Sequence, residues 1–138
     1  NGIPVLINEG VNLSLEAGSL FLAGLDDGWS SIPDLDLALQ DCPANTPVIL
    51  LMHEPDFFDE FARDPRVSLQ LSGHTHGGQV RLPGIGGFVL PKYGKKYPHG
   101  LYQKGETWLY VNRGLGVISP PVRFNCRPEI TEITLSTA

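Results

Sequence analysis

Apolar residues recur along this chain with two periods, and the switches between them mark out its elements. Val67, Leu69 and Leu71 alternate with polar residues, the pattern of a half-buried strand. Val11, Leu13 and Leu15 alternate in the same way, as do Thr107 to Asn112 and Glu129 to Leu135. Ile3 to Ile7 and Leu20 to Leu25 read as further strands, with Ala17-Gly18 as a hairpin turn before the second. Pro47 to Met52, PVILLM, reads as a short buried strand. Helical spacing appears twice. Asp34 or Pro33 opens one helix, which runs through Ala38 to about Asp41 with Leu35, Leu37, Ala38 and Leu39 as its apolar residues. Asp56 to Arg63 is the other, and Phe57, Phe58 and Phe61 form its apolar stripe, read as core. Gln79 to Leu82 is expected to be extended. Pro83 to Gly87 is a glycine-rich loop with no GK[ST] to make it a phosphate loop. The pattern predicts a β-rich α/β fold: one mixed sheet with two short helices on one face.

Composition narrows the class. At 138 residues the chain is one domain or part of one, and 41% hydrophobic content is enough for a core. No apolar run approaches the ~20 residues that span a membrane. The chain starts at Asn1 and its only methionine is Met52, so a processed product or a piece of a longer polypeptide is expected. A missing leader therefore says nothing about a parent protein. Cys42 and Cys126 form no CxxC motif, which excludes a thiolate zinc site and suits two thiols of a reducing, cytoplasmic compartment. Membrane association through a segment outside the chain stays open.

The candidate chemistry lies at Leu69 to Gln79, LQLSGHTHGGQ. The histidines stand where the alternating strand stops, and Gly73, Gly77 and Gly78 let the backbone turn sharply there. In extended chain, residues two apart point to the same side, so His74 and His76 can face one site. Their Cβ atoms would lie roughly 6.5–7 Å apart, a span that suits two metal ions about 3.5–4 Å apart with one imidazole each. His53 follows the PVILLM run. Sites in open α/β sheets form at the carboxyl ends of strands, so two neighbouring strands would bring His53, His74 and His76 to one edge.

A histidine after an apolar strand, followed some twenty residues later by GHTHGGQ, resembles the last two motifs of the calcineurin-like metallophosphoesterases. Downstream, RLPG, the tyrosine- and lysine-bearing loop, LYVNRGLG and CRPEITEITL are similar to the branch containing the YkuE-type enzymes and the UDP-diacylglucosamine pyrophosphatases. The resemblance covers essentially the whole chain. The first three family motifs (DxH, GDxxD and GNH followed by Asp or Glu) occur nowhere in it. It implies that residues 1–138 are the C-terminal half of a four-layer α/β/β/α sandwich whose N-terminal half lies elsewhere. It also implies a site with two divalent ions such as Mn, Fe or Zn. His53 and His74 would go with one ion and His76 with the other, and the carboxylates and the general acid would come from the missing half. The expected activity is metal-dependent phosphoester or pyrophosphate hydrolysis, with a phosphorylated small-molecule or lipid-linked substrate. The chain alone is expected to be inactive and to self-associate. The rival class is a non-catalytic binding module that uses its basic-aromatic loop for an anionic partner.

Charge bears on the substrate. Residues 1–60 carry eleven acids and no Lys or Arg, whereas residues 61–138 carry all ten basic residues and four acids. A basic C-terminal portion beside a metal site favours an anionic, phosphorylated ligand. The acidic pI of about 5.2 and the lack of a basic helix argue against nucleic acid. Arg113, after a strand, could clamp a phosphate in bidentate fashion, or serve a structural ion pair. Lys92, Lys95 and Lys96, with Tyr93 and Tyr97, could bind phosphate or an anionic lipid surface, or form a plain solvated loop. Asp26 and Asp27 read as a solvated turn and His99 as a surface histidine. Glu54 is a candidate to orient His53.

Overall fold

The structure, a computed structural model, describes residues 2–16, 18–87 and 89–136. Strands β1 (Glu9–Leu15) and β2 (Gly18–Gly24) form an antiparallel hairpin in which Leu15 faces Gly18. Residue 17 of the expected turn lies outside the described residues. From β2 the chain passes through helix α1 (Leu35–Ala38) to β3 (Val48–Leu51). It continues through a 3-10 turn (Pro55–Phe57) and helix α2 (Phe58–Phe61) to β4 (Val67–Ser72). A second 3-10 turn (His76–Gly78) leads to a small ribbon of β5 (Arg81–Leu82) and β6 (Gly86–Gly87). Strands β7 (Gly100–Lys104) and β8 (Thr107–Val111) complete the main sheet, whose order is β1-β2-β3-β4-β8-β7. The strands β2, β3, β4 and β8 are mutually parallel, with antiparallel β1 and β7 on the two edges.

Strand–helix–strand connections between parallel neighbours are right-handed. The two crossovers from β2 to β3 and from β3 to β4 step across the sheet in one direction, so both helices land on the same face. Asp34 caps α1 by accepting from the Leu37 amide at 2.9 Å. Ala38 and Leu39 then pack with Phe61 of α2 on Phe21, Ala23, Val48, Leu50 and Val67. Phe58 covers Leu109 and Val111 of β8. Gly10 faces Ala23 on this side. A Cβ at Gly10 would stand 2.2 Å from Phe21 Cε1 and 2.9 Å from the Ala38 carbonyl oxygen. Gly10→Ala is therefore expected to cost about 1–3 kcal/mol by overpacking, read as a lowered urea midpoint.

The opposite face of the sheet has no helix. Strand side chains alternate between faces, and the register puts Ile49, Leu69 and Trp108 in one row there and Leu51, Leu71 and Tyr110 in the next. Val11, Leu13 and Leu15 of β1 are among its exposed apolar residues, as are Leu51 and Trp108.

Several elements differ from the sequence expectation. Ile3 to Ile7 is not a strand; Pro4, Val5 and Leu6 instead run along the open face beside Val11, Leu22 and Leu71. Glu129 to Leu135 has the alternation of a strand but no ladder partner among the described residues; its start is held by one backbone bond, from the Glu129 amide to the Gly114 carbonyl at 3.1 Å, and by side-chain bonds from Tyr110, Asn112 and Arg113. Gln79 is not extended: its φ of 45° ends the 3-10 turn. Pro83 to Gly87 is the tip and return strand of the β5–β6 ribbon, not a free loop. Both helices are single turns, shorter than expected. Strand β7 went unread because GLYQK is short and mostly polar.

Candidate metal centre

In the parallel pair β3–β4, Leu51 faces Leu71, so the two strands end level with each other. The chain leaves both at the same edge: Met52 donates to the Leu71 carbonyl at 3.1 Å, and Gly73 donates to the His53 carbonyl at 3.1 Å. His53 and His74 are thereby brought together, their ring centroids 4.9 Å apart and their planes at 71°. Trp29, from the loop after β2, sets its ring edge-on to His74 at 5.8 Å. His76 follows on the tight turn and lies within electrostatic reach of His53. The turn is built from left-handed backbone, with φ of 66° at His74, 49° at His76, 63° at Gly77 and 80° at Gly78. Such conformations are costly for residues other than glycine, so surrounding bonds must hold the histidines there. Gly77 has no room for a side chain, since a Cβ would meet Arg113 Cγ at 2.5 Å and Cys126 Sγ at 2.7 Å.

The hydrogen bonds decide which ring nitrogens are free. His74 Nε2 lies 2.8 Å from the Lys92 carbonyl oxygen, and His76 Nδ1 lies 3.2 Å from that of Gly116. A carbonyl only accepts, so the neutral rings carry their protons on those nitrogens. The lone pairs are left on Nδ1 of His74 and Nε2 of His76. Ligating histidines are typically anchored in this way through the other nitrogen. Desolvation, and next the neighbouring His74, hold the His53 imidazole below its ordinary pKa, with Glu54 and Asp27 pulling the other way. Neutral imidazole is the form that binds metal. The donor chemistry thus fits a divalent ion, but the number of donors falls short. Among the described residues no group of three or more His, Cys, Asp or Glu side chains is arranged to hold a metal. Three imidazoles without carboxylates are a poor set for hard ions.

The other candidates are occupied elsewhere. Asp27 closes its own turn, accepting from the amides of Trp29 and Ser30 at 2.8 and 2.7 Å, and the Ser30 amide first of all keeps its carboxyl below the usual range. Glu54 is fully buried and accepts from the Gly28 amide at 3.2 Å, while its Oε1 has no partner. It therefore braces the 26–30 loop and makes no hydrogen bond to the His53 ring. Arg113 is paired with Glu129, the structural role that the sequence left open for it. The charged neighbours of His99 are Arg81, Arg113 and Glu129, not the other histidines.

The basic-aromatic loop is fastened to α2. The amides of Lys95, Lys96 and Tyr97 all donate to the Asp56 carboxylate, between 3.0 and 3.3 Å. Lys96 and Lys104 both pair with Asp59. Lys96 is therefore committed to an ion pair, and the loop serves the site through its backbone, by presenting the Lys92 carbonyl to His74 and the Pro98 carbonyl to Thr75. Nothing in the sequence singled out Asp56, because its partners are amides some forty residues away. Bonds from Lys104 and then Lys96 lower the Asp59 carboxyl to about 2. A depressed carboxylate stabilises the fold above its unfolded pKa of about 3.9, and that contribution is lost as pH falls toward 2. Asp59→Asn should therefore narrow its stability gap to the parent between about pH 4 and pH 2, as measured by urea titration at each pH. A constant gap would mean that the ion pairs contribute nothing.

Comparison with known proteins adds to this geometry. The chain is 47% identical over 137 residues to a Bacillus subtilis protein named uncharacterized metallophosphoesterase YkuE, covering 99% of this chain and 48% of that one. It is 38% identical to the phosphodiesterase YaeI of Escherichia coli, over 97% of this chain and 48% of the relative. It is 34% identical to a Bos taurus transmembrane protein with metallophosphoesterase domain, over 99% of this chain and 33% of that one. The chain thus spans about half the length of the first two curated relatives. No family model matches it, and no solved structure does. Among the described residues no helix is long and apolar enough to cross a membrane.

Proposed function

Because the chain is related over nearly its whole length to metallophosphoesterases, we propose that it supplies the imidazole ligands of a two-metal centre that hydrolyses phosphoesters, as the C-terminal part of one such domain. The observation that carries this reading is the meeting of His53 and His74 at the carboxyl edge of the sheet, 4.9 Å between centroids, with the protons of His74 and His76 tied to carbonyls. His53 and His74 would hold one divalent ion and His76 the other. When bound, the ions supply a water of low pKa as nucleophile and stabilise charge on the phosphoryl oxygens. This chain's part is orientation. The Lys92 carbonyl keeps Nδ1 of His74 unprotonated, and the Gly116 carbonyl does the same for Nε2 of His76. Trp29 packs edge-on to the His74 ring.

The remaining ligands, hard carboxylates in particular, and the acid for the leaving group belong on this reading to the part of the domain beyond this chain, so the chain alone is inactive. The substrate is a phosphorylated small molecule or a lipid-linked phosphoester. The test is hydrolysis of a chromogenic phosphodiester with added Mn²⁺ by a polypeptide of the relatives' length. Activity is expected there and not in the chain alone. Activity that survives the joint replacement of His53 and His74 would contradict the assignment, and a longer polypeptide with no activity at all would leave the non-catalytic binding-module class.

A further inference from the structure

Arg123 lies outside the histidine motifs, yet it is the side chain most deeply tied into the backbone around His76. Its Nε donates to the Gly116 carbonyl at 3.1 Å, and its Nη2 donates to the same oxygen at 2.6 Å and to the carbonyls of Arg113 and Gly114 at 2.7 and 3.1 Å. Its Nη1 reaches the carbonyls of His76 and Cys126 at 3.3 and 3.4 Å. One guanidinium thus gathers five carbonyls from three separate parts of the chain: the turn at His76, the loop after β8, and the segment at Cys126. A guanidinium has five N–H donors in a fixed fork, and here its three nitrogens are all spent on backbone. It has little donor capacity left for a substrate phosphate.

The shared acceptor is the key. The Gly116 oxygen that Arg123 grips is the one facing His76 Nδ1. The loop is otherwise fastened on either side of Gly116: the Gly114 amide donates to Asn112 Oδ1 at 2.6 Å, and the Ile118 amide donates to Gln79 Oε1 at 2.8 Å. Gly116 itself is bonded, among the described residues, by Arg123 and His76 alone, and Leu115 and Val117 beside it are exposed. We propose that Arg123 is a positioning residue for the metal centre, fixing the Gly116 carbonyl so that His76 is held as its Nδ1–H tautomer with Nε2 free to ligate. The inference rests on the reading of His76 as a metal ligand, and it adds a residue that acts through the backbone without touching metal or substrate. The guanidinium also binds the His76 carbonyl, so it restrains the left-handed backbone and the ring orientation together.

The test uses the protein at its relatives' length, with ¹⁵N-edited NMR of the metal-free histidine rings and calorimetric titration with Mn²⁺. In the unsubstituted protein His76 should read as the Nδ1–H tautomer; an Nε2–H ring there overturns the proposal without any variant. Arg123→Gln should give mixed tautomers at His76 and leave His53 unchanged. It should also weaken Mn²⁺ affinity by about 10- to 100-fold. Arg123→Lys keeps the charge but cannot span the carbonyls. It should behave like Arg123→Gln, and it is read in the same way if the glutamine variant fails to fold. In a His76→Ala background Arg123→Gln should cause no further loss of affinity, since the two act through one ligand. A full additional loss would show a general structural role and overturn the proposal, as would wild-type tautomer and affinity in both Arg123 variants. If His76→Ala itself leaves Mn²⁺ affinity unchanged, the metal-ligand reading fails, and the positioning role falls with it whatever the tautomer.

Discussion

Replacing His74 with alanine is expected to lower phosphodiester hydrolysis by at least about 100-fold in a polypeptide of the relatives' length, with little change in thermal stability. The estimate is a lower bound, because loss of a residue that merely orients a ligand already costs 10- to 100-fold. Stability should hold because the ring is only half-buried and its one hydrogen bond is to the Lys92 carbonyl. Losing a single net bond of this kind costs about 1 kcal/mol. His74→Gln keeps polarity but not the ring, and should be equally inactive. Kinetics and a melting curve on the same preparations separate the two effects. A variant that melts like the parent and turns over within tenfold of it would remove His74 from the metal centre.

The second large effect concerns association. The face of the sheet away from the helices carries rows of apolar residues with no helix or second sheet over them among the described residues, only the 4–6 segment and the chain at Leu135 beside them, and a cavity of about 650 Å³ runs along it from Pro4 to Gly73. A second hollow, about 310 Å³, lies between Leu20, Ile49, Leu69 and Leu135. Soluble monomers rarely expose contiguous apolar patches beyond a few hundred Å². At ~25 cal/mol per Å², covering roughly 400 Å² favours association by about 10 kcal/mol before the entropic costs of binding. The isolated chain is therefore expected to self-associate at micromolar concentration in sedimentation equilibrium and to bind a hydrophobic dye strongly. Leu51→Lys together with Leu71→Lys should return it toward monomer. A clean monomer with a weak dye signal would mean that the sheet face closes by itself.

The parts of the fold that were legible in the sequence are those whose burial is decided locally. PVILLM and Val67 to Leu71 read as strands because their neighbours bury them regardless of distant chain, and the one-turn helices were visible from Asp34 and the phenylalanine stripe. The histidine edge was legible for the same reason: parallel neighbours end level, so a histidine just past each strand must meet the other. What failed was structure that depends on partners. Ile3 to Ile7 and Glu129 to Leu135 have strand composition but lack neighbours that would complete a ladder among the described residues, and alternation alone cannot create one. The ribbon at Arg81–Leu82 and Gly86–Gly87 is too short for any period to register. Within the site, Asp56 and Arg123 escaped because each works on main-chain groups far away in sequence. Backbone amides and carbonyls carry no signature in the side-chain pattern. The ion pair of Lys96 with Asp59 escaped for a related reason, since the charge of Lys96 was visible in the sequence while its partner, thirty-seven residues earlier, was not.

On the proposed function, this chain brings imidazoles to a metal pair whose carboxylates lie beyond it. Elemental analysis of protein purified without chelator tests it most directly, comparing the chain alone with a polypeptide of the relatives' length. About two ions are expected per longer polypeptide, falling on replacement of His53, His74 or His76, and less than one ion on the chain alone. Two tightly held ions on the isolated chain, or a longer polypeptide whose metal content is indifferent to all three histidines, would contradict it.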